Sequence, residues 1–335
     1  MEQVFLHVVN MSISASFVIA AVLVVRLLLR RAPRCRFILW AIVGLRLLLP
    51  FSIPVRYSPL PVRAEALPAD LALAPSPQIH TGIAPLDRAV SASLPAAAPG
   101  DSANPMQILL AAGTVLWLVG IAALLIWDAV SLLLLRRRLE GAALREDGIY
   151  AARGIPSPFV WGIVRPRIYM PAESGEAHIP WIAAHVRAHI RRGDPLWKMI
   201  GCAALTLHWF NPLVWFAYAL FTADMEEACD AAVLHQSGED NRCAYSEALL
   251  AAASGKRSFA MLPPAFGESG AKRRIRRVLD YRRPTRFAAA AAVVLTVLVS
   301  VGCAFSLSDA EKTKEFSVTF PAYQGGRRDY NAAIY

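Results

Sequence analysis

Two histidines four residues apart, His185 and His189, stand in the run Trp181-Ile-Ala-Ala-His-Val-Arg-Ala-His-Ile190. On a helix this interval stacks both imidazoles on one face, near enough to share a metal ion. Taken alone, the same interval also suits two polar residues on a helix flank, satisfied by neighbouring carboxylates. A second helical stretch, Asp224 to Asp230, supplies a third candidate ligand in Glu226. Two imidazoles and one carboxylate leave the fourth corner of a tetrahedral zinc site open, as catalytic zinc requires. Asp230 follows one turn later on the same face, placed to accept a hydrogen bond from a ligand histidine and fix its tautomer.

The elements that must hold these residues are unusually apolar. Of 335 residues 56% are hydrophobic and 18% charged, and the mean hydropathy is +0.41; soluble domains carry about 25% charged residues. The deficit lies in long apolar runs, which predicts membrane spans. The net charge of +10 sits at the ends of those runs, where Lys and Arg mark a cytoplasmic face, and this argues against a nucleic-acid partner. Five scattered cysteines without CxxC spacing fit reduced thiols; Cys303, inside an apolar run, is read as packing.

Four spans are predicted, near Val4–Leu29, Phe37–Phe51, Met106–Leu135 and Phe287–Leu307. The first lacks the basic start of a cleaved signal peptide. Arg30, Arg31, Arg34 and Arg36 follow it, Arg136, Arg137 and Arg138 end the third, and eight Lys or Arg from Lys272 to Arg286 precede the fourth. All three clusters give one topology: a multi-pass membrane protein with both termini outside. Residues 1–55 hold the first two spans, and 56–105 form a Pro- and Ala-rich exported loop with little sign of a fold of its own. The third span occupies 106–135, a cytosolic domain 136–286, the fourth span 287–307, and a short outer tail 308–335. In that tail Phe316-Ser317-Val318-Thr319-Phe320 alternates like an edge strand, and an unstructured tail is the equal alternative. Arg46 and Asp128 lie inside spans; intramembrane charges are functional or paired by default, the blander reading being a snorkelling Arg and an Asp facing the cytosolic domain.

The 136–286 segment opens with strand-like pieces at 148–151, 157–161 and 167–171, and helical patterns follow. From Leu196 to Thr222 the chain is apolar enough for another span, but Phe210-Asn211-Pro212 cuts it in two. A re-entrant or membrane-apposed helical hairpin near 196–222 is expected. Asp194, before Pro195, is read as the cap of the next helix, and His208 as structural.

Set side by side, Ser157-Pro-Phe-Val-Trp-Gly162, His185-x-x-x-His189, Arg192-Gly-Asp194, His208-Trp-Phe-Asn211-Pro212 and Asp224-x-Glu226-x-x-Cys229-Asp230 resemble the membrane antirepressor metallopeptidases of the BlaR/MecR type over residues 1–305. The resemblance implies a mainly α polytopic protein of a bacterial-type cell membrane, with a cytosolic gluzincin-like α+β domain. It further implies one zinc ion on His185, His189 and Glu226, and a cytosolic transcriptional repressor as substrate, cleaved after an outside signal. Membrane lipid is the other expected partner. The basic run 272–286 is a topology signal, an anionic-lipid contact and, since relatives cleave themselves in the cytosolic stretch, a candidate processing site.

Two departures stand out. The family motif is His-Glu-x-x-His, whose Glu deprotonates the attacking water; that position is Val186. Valine accepts no proton, and general-base assistance is worth about 10²–10⁴-fold. Glu227 is a poor substitute, because it lies about 100° around the helix from Glu226. After the fourth span there is also no Ser-x-x-Lys nucleophile of a penicillin-binding sensor domain, so recognition of a beta-lactam by acylation is not expected. Three readings follow: a repressor-cleaving transducer impaired at Val186, a catalytically silent zinc-binding signalling or scaffold protein, and a membrane structural or transport component with an incidental His pair.

Overall fold

A computed structural model describes residues 1–30, 32–49, 53–55, 66–68, 71, 77–81, 83–95, 104–145, 148–155, 157–253, 267–282 and 285–307. The 308–335 tail, with its alternating segment, lies outside the described residues. The chain is mainly helical with a small sheet. Four helices answer to the apolar runs: α1 Glu2–Leu28, α2 Pro33–Leu48, α4 Pro105–Leu139 and α10 Arg286–Ala304. Two of them, α1 and α4, are long and apolar enough to cross a membrane, and α10 contains a shorter apolar stretch, Phe287–Val299. Along α4, Leu109, Val115, Leu116, Val119, Leu125 and Ile126 are exposed. Water would not tolerate such a collar, whereas acyl chains would.

Within the helical core, Val18, Ile19 and Val22 of α1 pack on Leu39, Val43 and Leu47 of α2. Against them lie two helices split where the sequence predicts a break: α6 Asp194–Leu207 and α7 Pro212–Ser237. Asn211 makes this junction. Its side-chain oxygen accepts from the Leu213 amide, capping α7, while its Nδ2 donates to Ser12 and Ser16 of α1 at 2.8 and 3.0 Å. Pro212 occupies the first turn, where its missing N–H costs nothing. His208 is fully buried, its Nε2 2.8 Å from the Leu47 carbonyl, a structural role. The helical stretch that bears Glu226 is part of α7, which runs unbroken from the hairpin turn through it.

Two expectations need correction. The 56–105 segment is not without structure: α3 (Ala84–Ser93) starts with Pro85 at its N-terminus and Asp87 in its first turn, and Asp87 accepts from the Thr81 amide at 2.8 Å. Leu71 is buried on Leu6, Met106 and Leu110. Leu86, Val90 and Leu94 recur at helical spacing, but so short a stretch inside a Pro- and Ala-rich segment reads first as loop. Arg46 does not snorkel; it is buried on α2. Asp128 faces α6, where Cys202 donates to it at 3.4 Å.

Between α4 and the next helix lies a four-stranded sheet of β2 (Ala143–Leu144), β3 (Ile149–Ala152), β4 (Phe159–Trp161) and β5 (Arg167–Pro171), in the order β2-β3-β5-β4. Strands β3 and β5 run parallel, with Ile149 opposite Ile168 and Tyr150 opposite Tyr169. Alternation sends Ile149, Ile168 and Met170 to one face, against α5 (Ile179–Arg192), and Tyr169 to the other, with Leu139 at the end of α4. The sheet thus bridges the long apolar helix and the helix bearing both histidines. At the far end, β1 (Ile53–Val55) pairs in parallel with β6 (Phe305–Leu307), tying α2 to α10. Helices α8 (Arg242–Ala253) and α9 (Gly267–Leu279) complete the described chain.

Candidate metal centre

Helix α5 ends at Gly193 in the left-handed region, φ +69°, and α6 begins at the next residue. A side chain at 193 would be strained there. This one-residue reversal brings Asp194 back beside the last turn of α5.

On α5 the rings of His185 and His189 stand edge to face with centroids 4.7 Å apart. From α7, Glu226 reaches both: its Oε2 is 3.3 Å from His185 Nε2 and 3.5 Å from His189 Nε2, and the two Nε2 atoms are 3.1 Å apart. Ligands about 2.0–2.1 Å from a tetrahedral zinc stand roughly 3.3–3.4 Å from one another. The triangle therefore has the dimensions of a zinc site and its donor set fits the ion, with the Arg274 guanidinium beside it, Nη2 3.4 Å from His185 Nε2.

Both histidines are oriented from behind. The Nδ1 of His189 lies 2.7 Å from Asp194 Oδ2, and that carboxylate also accepts from Cys229 Sγ at 3.1 Å. The Nδ1 of His185 is 2.8 Å from the Tyr245 hydroxyl, which donates to Asp230 Oδ1 at 2.7 Å. Each Nδ1 thus faces a carboxylate system, which leaves each Nε2 as the nitrogen directed into the triangle. Asp194 does not cap α6, as its sequence position predicts; Gly193 holds the cap position and the Asp194 side chain turns to His189 instead. His189, Asp194 and Cys229 also lie close enough together to resemble a metal cluster. Their shared His189 Nδ1 already donates to Asp194, so they form the support of the first triangle. Asp194→Ala is expected to weaken zinc affinity about 10–100-fold, read by competition with a chromophoric chelator. Unchanged affinity would mean that packing alone orients His189.

Sequence reasoning missed two participants. Arg274 of α9 donates to Asp230 through Nε at 3.0 Å and Nη2 at 2.8 Å, and its Nη1 is 3.2 Å from Glu226 Oε2. Tyr245 of α8 is fully buried. A local signal existed in α9, where Ile275 and Val278 alternate with arginines at helical spacing, but a basic run before a span reads first as topology. Glu227 turns away from the triangle and pairs with Arg36 and Arg277. Val186 is 3% exposed, packed among Ile149, Ile168, Met170, Ile182 and Ala248.

Charge in the site follows from these contacts. Burial opposes ionisation of Glu226, but the charges of His189 and Arg274 outweigh it and hold the carboxyl well below the usual carboxylate range. Burial likewise opposes charge on His189, yet Glu226 and the Asp194 hydrogen bond raise its pKa well above that of an ordinary imidazole. Asp230 is lowered against its burial by Arg274. Burial pushes the Cys229 thiol up to about 11, keeping it a neutral donor to Asp194.

Apolar helices of membrane-crossing length, joined to a small sheet and a His-x-x-x-His helix facing a glutamate, define a membrane-associated metallopeptidase type. The model of the BlaR1 peptidase M56 family matches residues 6–278, and the chain belongs to that family. It is also similar to the regulatory protein BlaR1 of Bacillus licheniformis, 29% identical over 152 residues, which are 43% of this chain and 25% of that protein. The chain thus matches about a quarter of that relative's length.

Proposed function

We propose that this chain is a membrane signal transducer whose cytosolic domain, residues 136–286, holds one zinc ion on His185, His189 and Glu226 and whose peptidase step is impaired at Val186. The observation that carries the reading is the convergence of two Nε2 atoms and one carboxylate oxygen within 3.1–3.5 Å. Two imidazole nitrogens and one carboxylate oxygen at this mutual spacing are the donor set and dimensions that a zinc ion takes. A bound zinc ion would supply Lewis acidity and lower the pKa of water. The chain's own residues supply the rest: Asp194 and Asp230 with Tyr245 fix the two imidazoles, and Arg274 presents positive charge beside Glu226. Position 186 would ordinarily take a proton from the attacking water, and Val186 cannot.

Four spans, formed by α1, α2, α4 and α10, carry this domain with both chain ends outside, and the α6–α7 hairpin lies against the membrane. The segment 56–105 is the exported part available to a signal. By analogy with the regulatory relative, the substrate class is a cytosolic repressor. A second reading, a silent member that binds zinc and signals by shape, is favoured by the apolar packing of Val186.

The test is metal content. The 335-residue chain purified in detergent and loaded with zinc should hold about one zinc per chain, and His189→Ala and Glu226→Ala should each lose most of it. Zinc retained in both variants, or absent from all three proteins, sinks the reading and leaves the His pair incidental.

A further inference from the structure

Strands β4 and β5 are joined by a tight hairpin, Gly162-Ile163-Val164-Arg165-Pro166. Gly162 has φ +97°, and a side chain there would come 2.8 Å from the Arg165 carbonyl oxygen, so the turn is built on glycine. The turn lifts two β-branched residues to the surface: Ile163 is 50% exposed and Val164 92%. Beneath them a cleft of about 740 Å³ runs between the hairpin and the end of α4. Its walls include Arg136, Arg165 and Arg167, the aromatic rings of Trp161 and Tyr169, and the single carboxylate of Glu140. Among the described residues, none of these three arginines forms an ion pair; Arg167 rests over the Tyr150 ring at 5.3 Å.

The position of this cleft gives it meaning. Leu132, Leu133 and Leu134 are exposed one turn before Arg136, so the acyl-compatible part of α4 ends there. A cationic cleft with an apolar tip, set beside the point where a long apolar helix turns basic, matches a phospholipid in two parts: phosphate for the arginines, acyl chains for the tip. One glutamate against three guanidiniums leaves the cleft net positive. A free phosphate ester would use the cleft and leave Ile163 and Val164 in water.

We propose that the β4–β5 hairpin and the Arg136 end of α4 form a docking site for an anionic phospholipid headgroup, with Ile163 and Val164 inserted among the upper acyl carbons. This rests on the reading of α4 as a membrane span. Docking here clamps β5, whose Ile168 and Met170 pack on α5 next to Val186, so the lipid surface sets the height of the histidine helix.

The full chain tests this with a fluorophore on Val164→Cys in a Cys243→Ser background, reconstituted in phosphatidylcholine with or without phosphatidylglycerol. Lipids carry a nitroxide either near the headgroup or near the acyl terminus. The shallow nitroxide should quench the label more than the deep one. Replacing Arg136, Arg165 and Arg167 by alanine should reduce phosphatidylglycerol retention, measured by native mass spectrometry, by roughly fivefold per arginine. A second label at Val119→Cys, in the middle of α4, should be quenched best by the deep nitroxide. If Val119 is quenched and Val164 is not, the lipid site is wrong while the span stands. If neither is quenched, the span reading falls and takes the site with it. Glycerol phosphate in solution that competes as well as the intact lipid would make the cleft a soluble-phosphate site and overturn the assignment. A Val164 label shielded from water yet blind to both nitroxides would mean a protein contact, which also overturns it.

Discussion

Val186→Glu is expected to raise peptide-bond cleavage by about 10²–10⁴-fold over the parent chain, the range that a positioned general base contributes. The surrounding parts are already in place: the His185–His189–Glu226 triangle has zinc dimensions, and both imidazoles are oriented through Nδ1. Among the described residues nothing else offers a free carboxylate to the triangle. Asp194 and Asp230 are engaged with the histidines' outer nitrogens, and Glu227 is held by Arg36 and Arg277. The substitution has a cost, because Val186 fills an apolar pocket between α5 and the sheet. Burying part of a carboxyl side chain there should destabilise by about 1–3 kcal/mol. Val186→Gln carries the same polar burden without a proton acceptor and separates the two effects. Cleavage would be read as self-cleavage and as turnover of a peptide library in the zinc-loaded protein, with thermal unfolding followed in parallel. Equal rates for the Glu and Gln variants would remove the base from the account. A parent rate matching the Glu variant would remove the impairment.

Much of the helical frame was legible because its signals are local. Proline at the starts of α2, α4 and α7, the Phe210-Asn211-Pro212 break and the Gly193 reversal act within a few residues. The interval between His185 and His189 is legible for the same reason, since helical period alone puts them on one face. What escaped depends on distant partners. Arg274 approaches His185 across 89 positions in sequence, and nothing in its basic neighbourhood separates a site arginine from a topology marker. Asp194 was misread because an aspartate before proline resembles a cap, while the turn that swings it to His189 depends on the φ of Gly193. The small α3 was passed over because its brief apolar spacing sits in a Pro- and Ala-rich stretch and none of its residues is fully buried. Val186 was read as a chemical loss; the structure adds that it has become a packing residue.

Asp224→Ala should be among the most damaging single substitutions in the chain, costing about 3–5 kcal/mol. The carboxylate is fully buried and takes four donors from two other helices. Arg26 of α1 reaches it through Nε at 2.7 Å and Nη2 at 3.0 Å, Arg36 of α2 through Nη1 at 2.8 Å, and Trp40 Nε1 at 2.9 Å. Arg36 continues to Glu227, which also binds Arg277 of α9. Removing the carboxylate leaves two guanidiniums facing each other where water is scarce, so the penalty is an uncompensated charge and not merely a lost contact. The effect should not stop at stability. Glu226 lies two residues along the same helix, and α9, which bears Arg274, is tied to the same network through Arg277. A shift of α7 therefore moves the proposed ligand and its cationic neighbour together. Thermal unfolding in detergent and zinc content should fall together in Asp224→Ala. Apolar replacement of the cluster, as in Arg26→Met/Arg36→Met/Asp224→Leu, should recover much of the stability, because buried ion pairs are often replaceable by apolar groups of similar volume. If that triple variant regains its melting temperature but not its zinc affinity, the network serves to hold α7 in register with α1 and α2. An Asp224→Ala protein that melts and binds zinc like the parent would show that these helices are positioned by packing alone.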